Sequence, residues 1–366
     1  MKLKKWGIFI LSLAFFVYLS LNPEVKTIEE YDVAAGFGID IEKKDDSVIY
    51  KVPYSVYNYQ GEGISIPLIK TGIAGTAGET RENRQLRSAR SYIVGLQKII
   101  IFGEEAARYG LYNFYDILFS NPKMNDRSLI AVCKGEPGEI FKFVPKGYET
   151  SSDYIIGMIK NMNKNTFFAE EYTLLNAYVC VISEGRNVVL PYIELINNEL
   201  KITGMAVFDK DKMMYKLNMD ETKIMNILRE NKVTGILTIQ NSPKEYASYF
   251  AQSKRKVKCR KIGEKYYFNI KLDLKGDLIS NEIYKKIDDV TRVKLENQIK
   301  DKLTKQCDAF IQKMQNEYRL DLLQLGYVAA AKYGRDTGVD WNEIVSKSEI
   351  KIDINVKITK TGRGEY

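Results

Sequence analysis

A long apolar stretch opens the chain. Lys2, Lys4 and Lys5 precede residues 6–21, which contain no charged side chain. A basic head before an apolar core is typical of an export signal, and it keeps the N-terminus inside the cell. The stretch is shorter than the roughly 20 apolar residues of a spanning helix, but flanking lysines can snorkel to the membrane surface.

Three kinds of N-terminal segment fit this pattern. A cleavable signal peptide needs small residues before the cut, whereas the residues before Asn22 are bulky. A lipoprotein signal needs a Cys where this chain has Asn22. We therefore expect residues 1–22 to remain as an uncleaved anchor helix.

Alternating apolar and polar positions predict strands in the first part of the exported chain. Residues 32–40 and 48–57 read as two strands joined by a charged turn, with Gly36 and Gly38 marking a bulge or a close backbone approach. Three glycines in residues 72–78 predict a turn before a helix that runs from Glu79 into the nineties. The apolar runs that contain Cys133 and Cys180 both resemble strands.

The segment GEEAARYG, residues 103–110, predicts a short helix that begins after Gly103. Glu104 and Glu105 would lie in its first turn, where carboxylates favour the helix dipole. Two neighbouring glutamates can suggest acid–base catalysis. Adjacent positions on a helix point in different directions, so we favour a structural role.

The second half alternates short strands with helices. Asn218 and Glu221 have the spacing of a capping box. The basic segment KRKVKCRK, residues 254–261, predicts an edge strand with one charged face, either solvated or in contact with anionic lipid or an acidic partner. A long helix with one apolar stripe is expected over residues 281–325.

These elements predict an α+β protein of three mixed domains, with antiparallel-rich sheets, after the anchor. The expected boundaries are 1–22 for the anchor, 23–195 for an N-terminal domain, 196–252 for a small middle domain and 253–366 for a C-terminal domain in which the long helix packs on a sheet.

The amino-acid composition limits the kinds of catalytic and metal sites that the chain can form. The 366 residues carry a net charge of +8 and contain no histidine, which excludes His-based catalysis and most zinc sites. No nucleic-acid motif is present. The four cysteines are Cys133, Cys180, Cys259 and Cys307, and no two of them form a CxxC pair. We therefore expect buried thiols, with a disulfide as the alternative. We predict no catalytic residue, cofactor or metal site, and no enzymatic activity.

Several segments together resemble the Ger(x)C family of spore germination proteins, the C subunits of germinant receptors. The resemblance lies in IEEYDVAAGFGID (28–40), GEEAARYG (103–110), VCKG (132–135), GMAVFDKDKMMYKL (204–217) and VKITKTG near the end. Each motif alone is weak, but their order along the chain is fairly specific. The family-matching positions, whose role stays open, are Gly36, Gly38, Asp40, Gly103, Glu104, Glu105, Lys134, Gly135, Gly204 and Phe208.

The resemblance implies a receptor subunit on the outer face of the spore inner membrane, needed for nutrient-triggered germination. It implies two polytopic partners, a GerA-type subunit and a transporter-like subunit that binds the germinant. Family members carry a lipid-modified Cys where this chain has Asn22, so no lipid attachment is expected here. Two other hypotheses remain: a tethered solute-binding protein, and a cell-wall hydrolase with two carboxylates roughly 5–10 Å apart.

Overall fold

The structure, a computed structural model, describes residues 2–21, 30–44, 47–57, 68–93, 95–169, 172–284, 287–335 and 338–361. The helices are α1 (Lys2–Leu21), α2 (Glu79–Gln85), α3 (Glu104–Tyr109), α4 (Tyr112–Phe119), α5 (Pro137–Lys142), α6 (Ser151–Met162), α7 (Leu174–Ile182), α8 (Met219–Arg229), α9 (Asp289–Lys313), α10 (Leu325–Tyr333) and α11 (Trp341–Ser346). The strands are β1 (Tyr31–Lys44), β2 (Ser47–Val56), β3 (Leu68–Ala74), β4 (Ser91–Ile93), β5 (Ile99–Gly103), β6 (Leu129–Cys133), β7 (Val189–Ile196), β8 (Glu199–Asp209), β9 (Lys212–Asn218), β10 (Lys232–Ser242), β11 (Glu245–Ile262), β12 (Lys265–Asn281) and β13 (Glu349–Lys360).

Strands β1 to β9 form one mixed sheet, with the order β3-β2-β1-β5-β6-β7-β8-β9 and with β4 paired to the start of β1. Its centre is parallel, because β1, β5, β6 and β7 run in one direction. Parallel neighbours need crossover connections, and helices α3 to α7 lie in the connections that follow β5 and β6. The predicted mixture of helices and sheets is confirmed, and the pairings β1–β2, β2–β3, β7–β8 and β8–β9 are antiparallel as expected, whereas the parallel centre was not predicted.

Strands β10 to β13 form the second sheet, in the order β10-β11-β12-β13. The first three are antiparallel, and β13 joins β12 in parallel after the helical segment that contains α9. The expected middle unit, residues 196–252, contributes β8 and β9 to the first sheet and β10 to the second. The domain boundaries remain predictions.

A continuous apolar core joins the two sheets. It contains Ile101 of β5, Phe141 of α5, Leu228 of α8, Leu272 of β12 and Leu303 of α9, all almost completely buried. A second apolar cluster covers the other face of the first sheet under α3, α4 and α7. The apolar stripe that the sequence predicts on α9 is confirmed, because its members are buried in the joint core.

Several helix predictions were wrong in extent. Helix α2 ends at Gln85 rather than in the nineties. The expected helix over 281–325 begins only at Asp289, and a π-helical turn at Met314–Tyr318 ends in Arg319, whose φ is 51°. The run that contains Cys180 forms α7, with Thr173 as its N-cap. Short apolar runs do not separate strand from helix by periodicity alone.

The basic segment of β11 is an edge for only part of its length. Strand β10 accompanies β11 as far as the pair Lys232–Lys254, and beyond that point β12 is the neighbouring strand. On the open side, Lys332 and Tyr333 of α10 donate to the carbonyl of Cys259. The prediction of an edge strand is therefore confirmed for the segment after Lys254.

Within the ranges that the structure describes, no helix combines the length and apolar character needed to cross a membrane. Asn22 and the first residues of the IEEYDVAAGFGID motif fall outside these ranges.

Candidate functional site

The carboxyl ends of the four parallel strands meet along one side of the first sheet, which we call the carboxyl edge. The register places Ile39 of β1 beside Phe102 of β5, Gly103 beside Cys133 of β6, and Cys133 beside Ile193 of β7. Residues that directly follow these positions therefore project from the same edge. Functional groups of parallel sheets commonly gather at such an edge.

Gly103 brings β5 and α3 into contact with Asp40. The residue ends β5 and is the N-cap of α3, and a Cβ atom there would collide with the carboxylate of Asp40. Gly38 on the same strand makes a similar close approach to Pro137, at the start of α5. Glycine at these positions lets Asp40 and the first turns of two helices lie close together.

Asp40 is 6 % exposed. Burial raises the pKa of its carboxyl to about 6, and the negative charges of Glu136 and Glu105 add to this rise. A hydrogen bond from the Ile41 backbone and the charge of Lys51 act in the opposite direction. Asp40 therefore changes its protonation state close to physiological pH.

Lys51 of β2 connects two other carboxylates of the edge. Its Nζ lies 2.9 Å from Glu42 Oε2 and 3.1 Å from Glu136 Oε1. These two contacts raise the pKa of Lys51. The lysine is therefore a shared cation between β1 and the start of α5.

Glu104 is held by two donors. Its carboxylate accepts hydrogen bonds from the Tyr192 hydroxyl and from Arg108, whose Nη2 lies 2.6 Å from Oε1. Burial alone would raise the pKa of Glu104, but the bonds from Tyr192 and Arg108 lower it overall. Glu105 points elsewhere, toward Lys43 at 3.8 Å. The expected divergence of the two glutamates is confirmed.

Glu194, at the end of β7, is the centre of a second charged group. It pairs with Lys216 of β9, lies 3.6 Å from Lys134, and accepts a hydrogen bond of 2.7 Å from Thr203. Burial raises the pKa of Glu194, whereas Lys216 and Thr203 lower it by more. This group links β7 of the carboxyl edge with the neighbouring strands β8 and β9.

An apolar tip extends beyond Glu194. Asn197 and Asn198 connect β7 and β8 with φ values of 51° and 60°, as a tight hairpin turn requires. Leu195 and Ile196 precede the turn and are 41 % and 38 % exposed. The carboxyl edge therefore presents apolar side chains next to paired charges.

The structure brings together six of the ten family-matching positions: Asp40, Gly103, Glu104, Glu105, Lys134 and Gly135. The other four lie within strands, Gly36 and Gly38 in β1 and Gly204 and Phe208 in β8. Gly36 lies at a register shift against β2, and Gly204 lies where a Cβ atom would collide with the Leu217 carbonyl. Phe208 is fully buried. The role of all ten stays open.

Sequence reasoning missed most of the residues that pair with the predicted positions, among them Lys51, Arg108, Tyr192, Glu194 and Lys216. The i,i+4 spacing of Glu104 and Arg108 was a usable signal for one pair. The Lys51–Glu42 contact crosses the β1–β2 hairpin, whereas no local pattern marks the contacts of Tyr192 with Glu104 and of Lys216 with Glu194.

Three of the four thiols are shielded from solvent. Cys133, Cys259 and Cys307 are buried and Cys180 is partly buried, and all four are free. Burial raises the pKa of Cys133 well above its usual value, so this thiol stays protonated. In the described part of the chain no three His, Cys, Asp or Glu side chains are placed to hold a metal ion.

Two family models match consecutive parts of the chain. "Spore germination protein N-terminal domain" matches residues 24–195, and "Spore germination B3/ GerAC like, C-terminal" matches residues 203–362. The chain belongs to the Ger(x)C family of spore germination proteins. The resemblance stated from sequence motifs is therefore confirmed.

Individual relatives agree with this family. The chain is 21 % identical to spore germination protein GerQC of Bacillus cereus, over 98 % of this chain and 99 % of that protein. It is 22 % identical to spore germination protein YndF of Bacillus subtilis strain 168, over 76 % of this chain and 70 % of the relative. The crystal structure of the GerBC protein shares the fold, with a TM-score of 0.59 and 19 % identity over 88 % of this chain and 97 % of GerBC.

Proposed function

We propose that this chain is the membrane-tethered C subunit of a nutrient germinant receptor, a binding protein rather than an enzyme. The observation that carries the proposal is the order of the two family matches along nearly the whole chain. The carboxyl edge supports it, because paired charges beside exposed apolar side chains are typical of a surface that docks another protein.

The proposed location is the outer face of the spore inner membrane, with the N-terminal segment as the tether. Support comes from α1, where Ile8, Leu11 and Phe16 are each at least 70 % exposed. Contiguous exposed apolar side chains mark a site for lipid or protein contact. A tether confines receptor subunits to one plane and raises their effective concentration, so a modest interface suffices.

The proposed partners are two polytopic subunits, one GerA-type and one transporter-like, of which the latter binds the germinant. We place the contact at the carboxyl edge, with Lys134, Leu195 and Ile196 at its centre. Lys134 suits this role because its side chain is 69 % exposed and reaches Glu194 only at 3.6 Å. It can therefore meet an acidic partner without disturbing the fold.

Lys134→Glu tests this arrangement in spores that carry the chain at its natural level. We expect about tenfold less of the two polytopic proteins to co-purify, because a like charge now faces the partner, and a matching loss of response to at least one nutrient. Lys347→Glu is the control, since Lys347 is similarly exposed and paired but lies at the end of α11, as its C-cap. If Lys134→Glu left the co-purification unchanged, the proposed contact would be wrong. If spores that lack the chain altogether germinated normally with every nutrient, the proposed function would be refuted.

A further inference from the structure

The second sheet has one covered face and one open face. Helix α9 covers the inner face, where Ile270, Leu272 and Leu274 of β12 join the core with Ile299 and Leu303. Alternate residues of β11, β12 and β13 point to the opposite side, which we call the outer face. The side chains of this face are mostly exposed.

Basic residues dominate the outer face. The antiparallel register of β11 and β12 places Lys256 beside Lys271 and Lys258 beside Asn269. The parallel register of β12 and β13 places Asn269 in turn beside Lys351. The exposed cations at its centre are Lys254, Lys256, Lys258, Arg260, Lys271 and Lys351. Like charges placed directly opposite each other destabilise a sheet, so this arrangement has a cost within the isolated protein.

Carboxylates neutralise these cations only in part, with Asp273 directly opposite Lys254 and Asp353 directly opposite Lys271. The acidic side chains of the outer face are Asp273, Asp277, Glu349 and Asp353. Lys271 approaches Asp273 only at 4.0 Å, and Lys351 lies 3.1 Å from its neighbour Glu349. Lys232, Lys275 and Lys357 extend the positive charge to β10 and to the far ends of β12 and β13.

The shape of the face favours a planar anionic partner. Its cations are spread over adjacent strands, about 4.8 Å apart, on an open sheet rather than in a groove. Single-stranded nucleic acid binds through aromatic side chains on which bases stack, whereas this basic array carries Tyr267, which is only partly exposed. Ile262, 66 % exposed at the turn between β11 and β12, adds an apolar side chain at one end.

We propose that the outer face docks on an anionic lipid surface. The proposal rests on the membrane placement given under the proposed function. Only residues 22–30 separate α1 from β1, and an extended chain of that length reaches about 30 Å, so the folded body would stay near the tether's membrane. Electrostatic attraction to anionic lipid acts within about a Debye length of the surface.

Lysine acetylation of the full-length chain in lipid nanodiscs tests this proposal. We expect Lys256, Lys258, Lys271 and Lys351 to react about fivefold more slowly in discs with roughly one-third phosphatidylglycerol than in purely zwitterionic discs. Lys294, Lys300 and Lys305, exposed on α9 behind the sheet, should react alike in both discs. Salt at about 1 M should abolish the protection.

Two triple variants separate a specific face from net charge. Lys256→Gln with Lys258→Gln and Lys271→Gln should remove the protection of Lys351. The matched set, Lys294→Gln with Lys300→Gln and Lys305→Gln, should preserve it. Equal effects of the two sets, or no difference between the discs, would overturn the proposal.

Two further outcomes are informative. Stronger protection by a poly-glutamate peptide or a DNA oligonucleotide than by anionic discs would also reject lipid as the occupant. Retention of the chain in zwitterionic discs depends on the N-terminal tether alone. The difference in lysine acetylation rate between anionic and zwitterionic discs depends on the outer face alone. Failure of this inference and failure of the proposed location are thereby distinguished.

Discussion

At the scale of single residues, Asp40 shows how close packing changes the chemistry of a side chain. Gly103 lets the start of α3 approach its carboxylate, and burial raises the pKa of that carboxyl to about 6. The unfolded chain has no such burial, and its aspartates titrate near 3.9. Ionised Asp40 therefore costs the folded state about 3 kcal/mol at neutral pH.

This cost predicts a pH dependence with a definite sign. Because the folded pKa exceeds the unfolded one, the contribution of Asp40 is fully present below about pH 4 and is lost as the pH rises to about 6. Asp40→Asn lacks this loss, so its stability relative to the natural chain should rise by up to about 3 kcal/mol across that window. Urea unfolding at a series of pH values measures this. If the free energies of unfolding of the two proteins changed in parallel with pH, the pKa of Asp40 would not be raised by folding.

At the scale of elements, the start of α8 is determined by local sequence. Asn218 Oδ1 accepts from the Glu221 amide at 2.9 Å, and Glu221 Oε2 accepts from the Asn218 amide at 3.1 Å. The predicted capping box is therefore confirmed. Glu221 also accepts from Lys313 and Tyr318, so the same residue ties α8 to the end of α9.

Asn218→Ala should lower the free energy of unfolding by about 1 kcal/mol, because the Glu221 amide loses its acceptor. Asn218→Asp keeps an acceptor at the N-cap and should stay within about 0.5 kcal/mol of the natural chain. Urea unfolding followed by circular dichroism compares the two variants. If aspartate were as destabilising as alanine, the cap would not be the source of the stability.

At the scale of the whole molecule, two arginines link the sheets, the buried Arg229 and the partly buried Arg255. Arg229, at the end of α8, donates to the carbonyls of Asn187 and Leu322, both at 2.9 Å. Arg255 of β11 donates to the carbonyls of Arg229 and Leu323 at 2.8 and 2.6 Å. Asn187 precedes β7 of the first sheet, so these bonds connect both sheets with the segment after α9.

Arg229→Met should therefore destabilise the molecule as a unit, by about 2–4 kcal/mol, because two buried carbonyls lose their donors. Arg292→Met is the matched control. Its guanidinium is 3.0 Å from Asp289 at an exposed site on α9, where an ion pair contributes at most about 1 kcal/mol. Urea unfolding of both variants tests this, and a similar small loss in each would show that the two sheets are held by apolar packing alone.

Part of the candidate site was predictable from the sequence. Six of its residues lie in the motifs that carry the family resemblance, and the Glu104–Arg108 pair has helical spacing. Their convergence was not predictable, because it depends on β1, β5, β6 and β7 pairing in parallel across crossovers. Glu194 joins the site through the pairing of β7 with β6, and Lys216 joins it through the antiparallel pairings of β7, β8 and β9.

The sequence alone determined the features that depend on neighbouring residues: the helical N-terminal segment, the Asn218 cap, the apolar stripe of α9 and the alternating charge of β11. Only the tertiary structure decided strand order, the helical state of α7, the break after α9 and the meeting of charges at the carboxyl edge. Local preferences are encoded within a few residues, whereas register and burial arise from contacts between segments far apart in the chain.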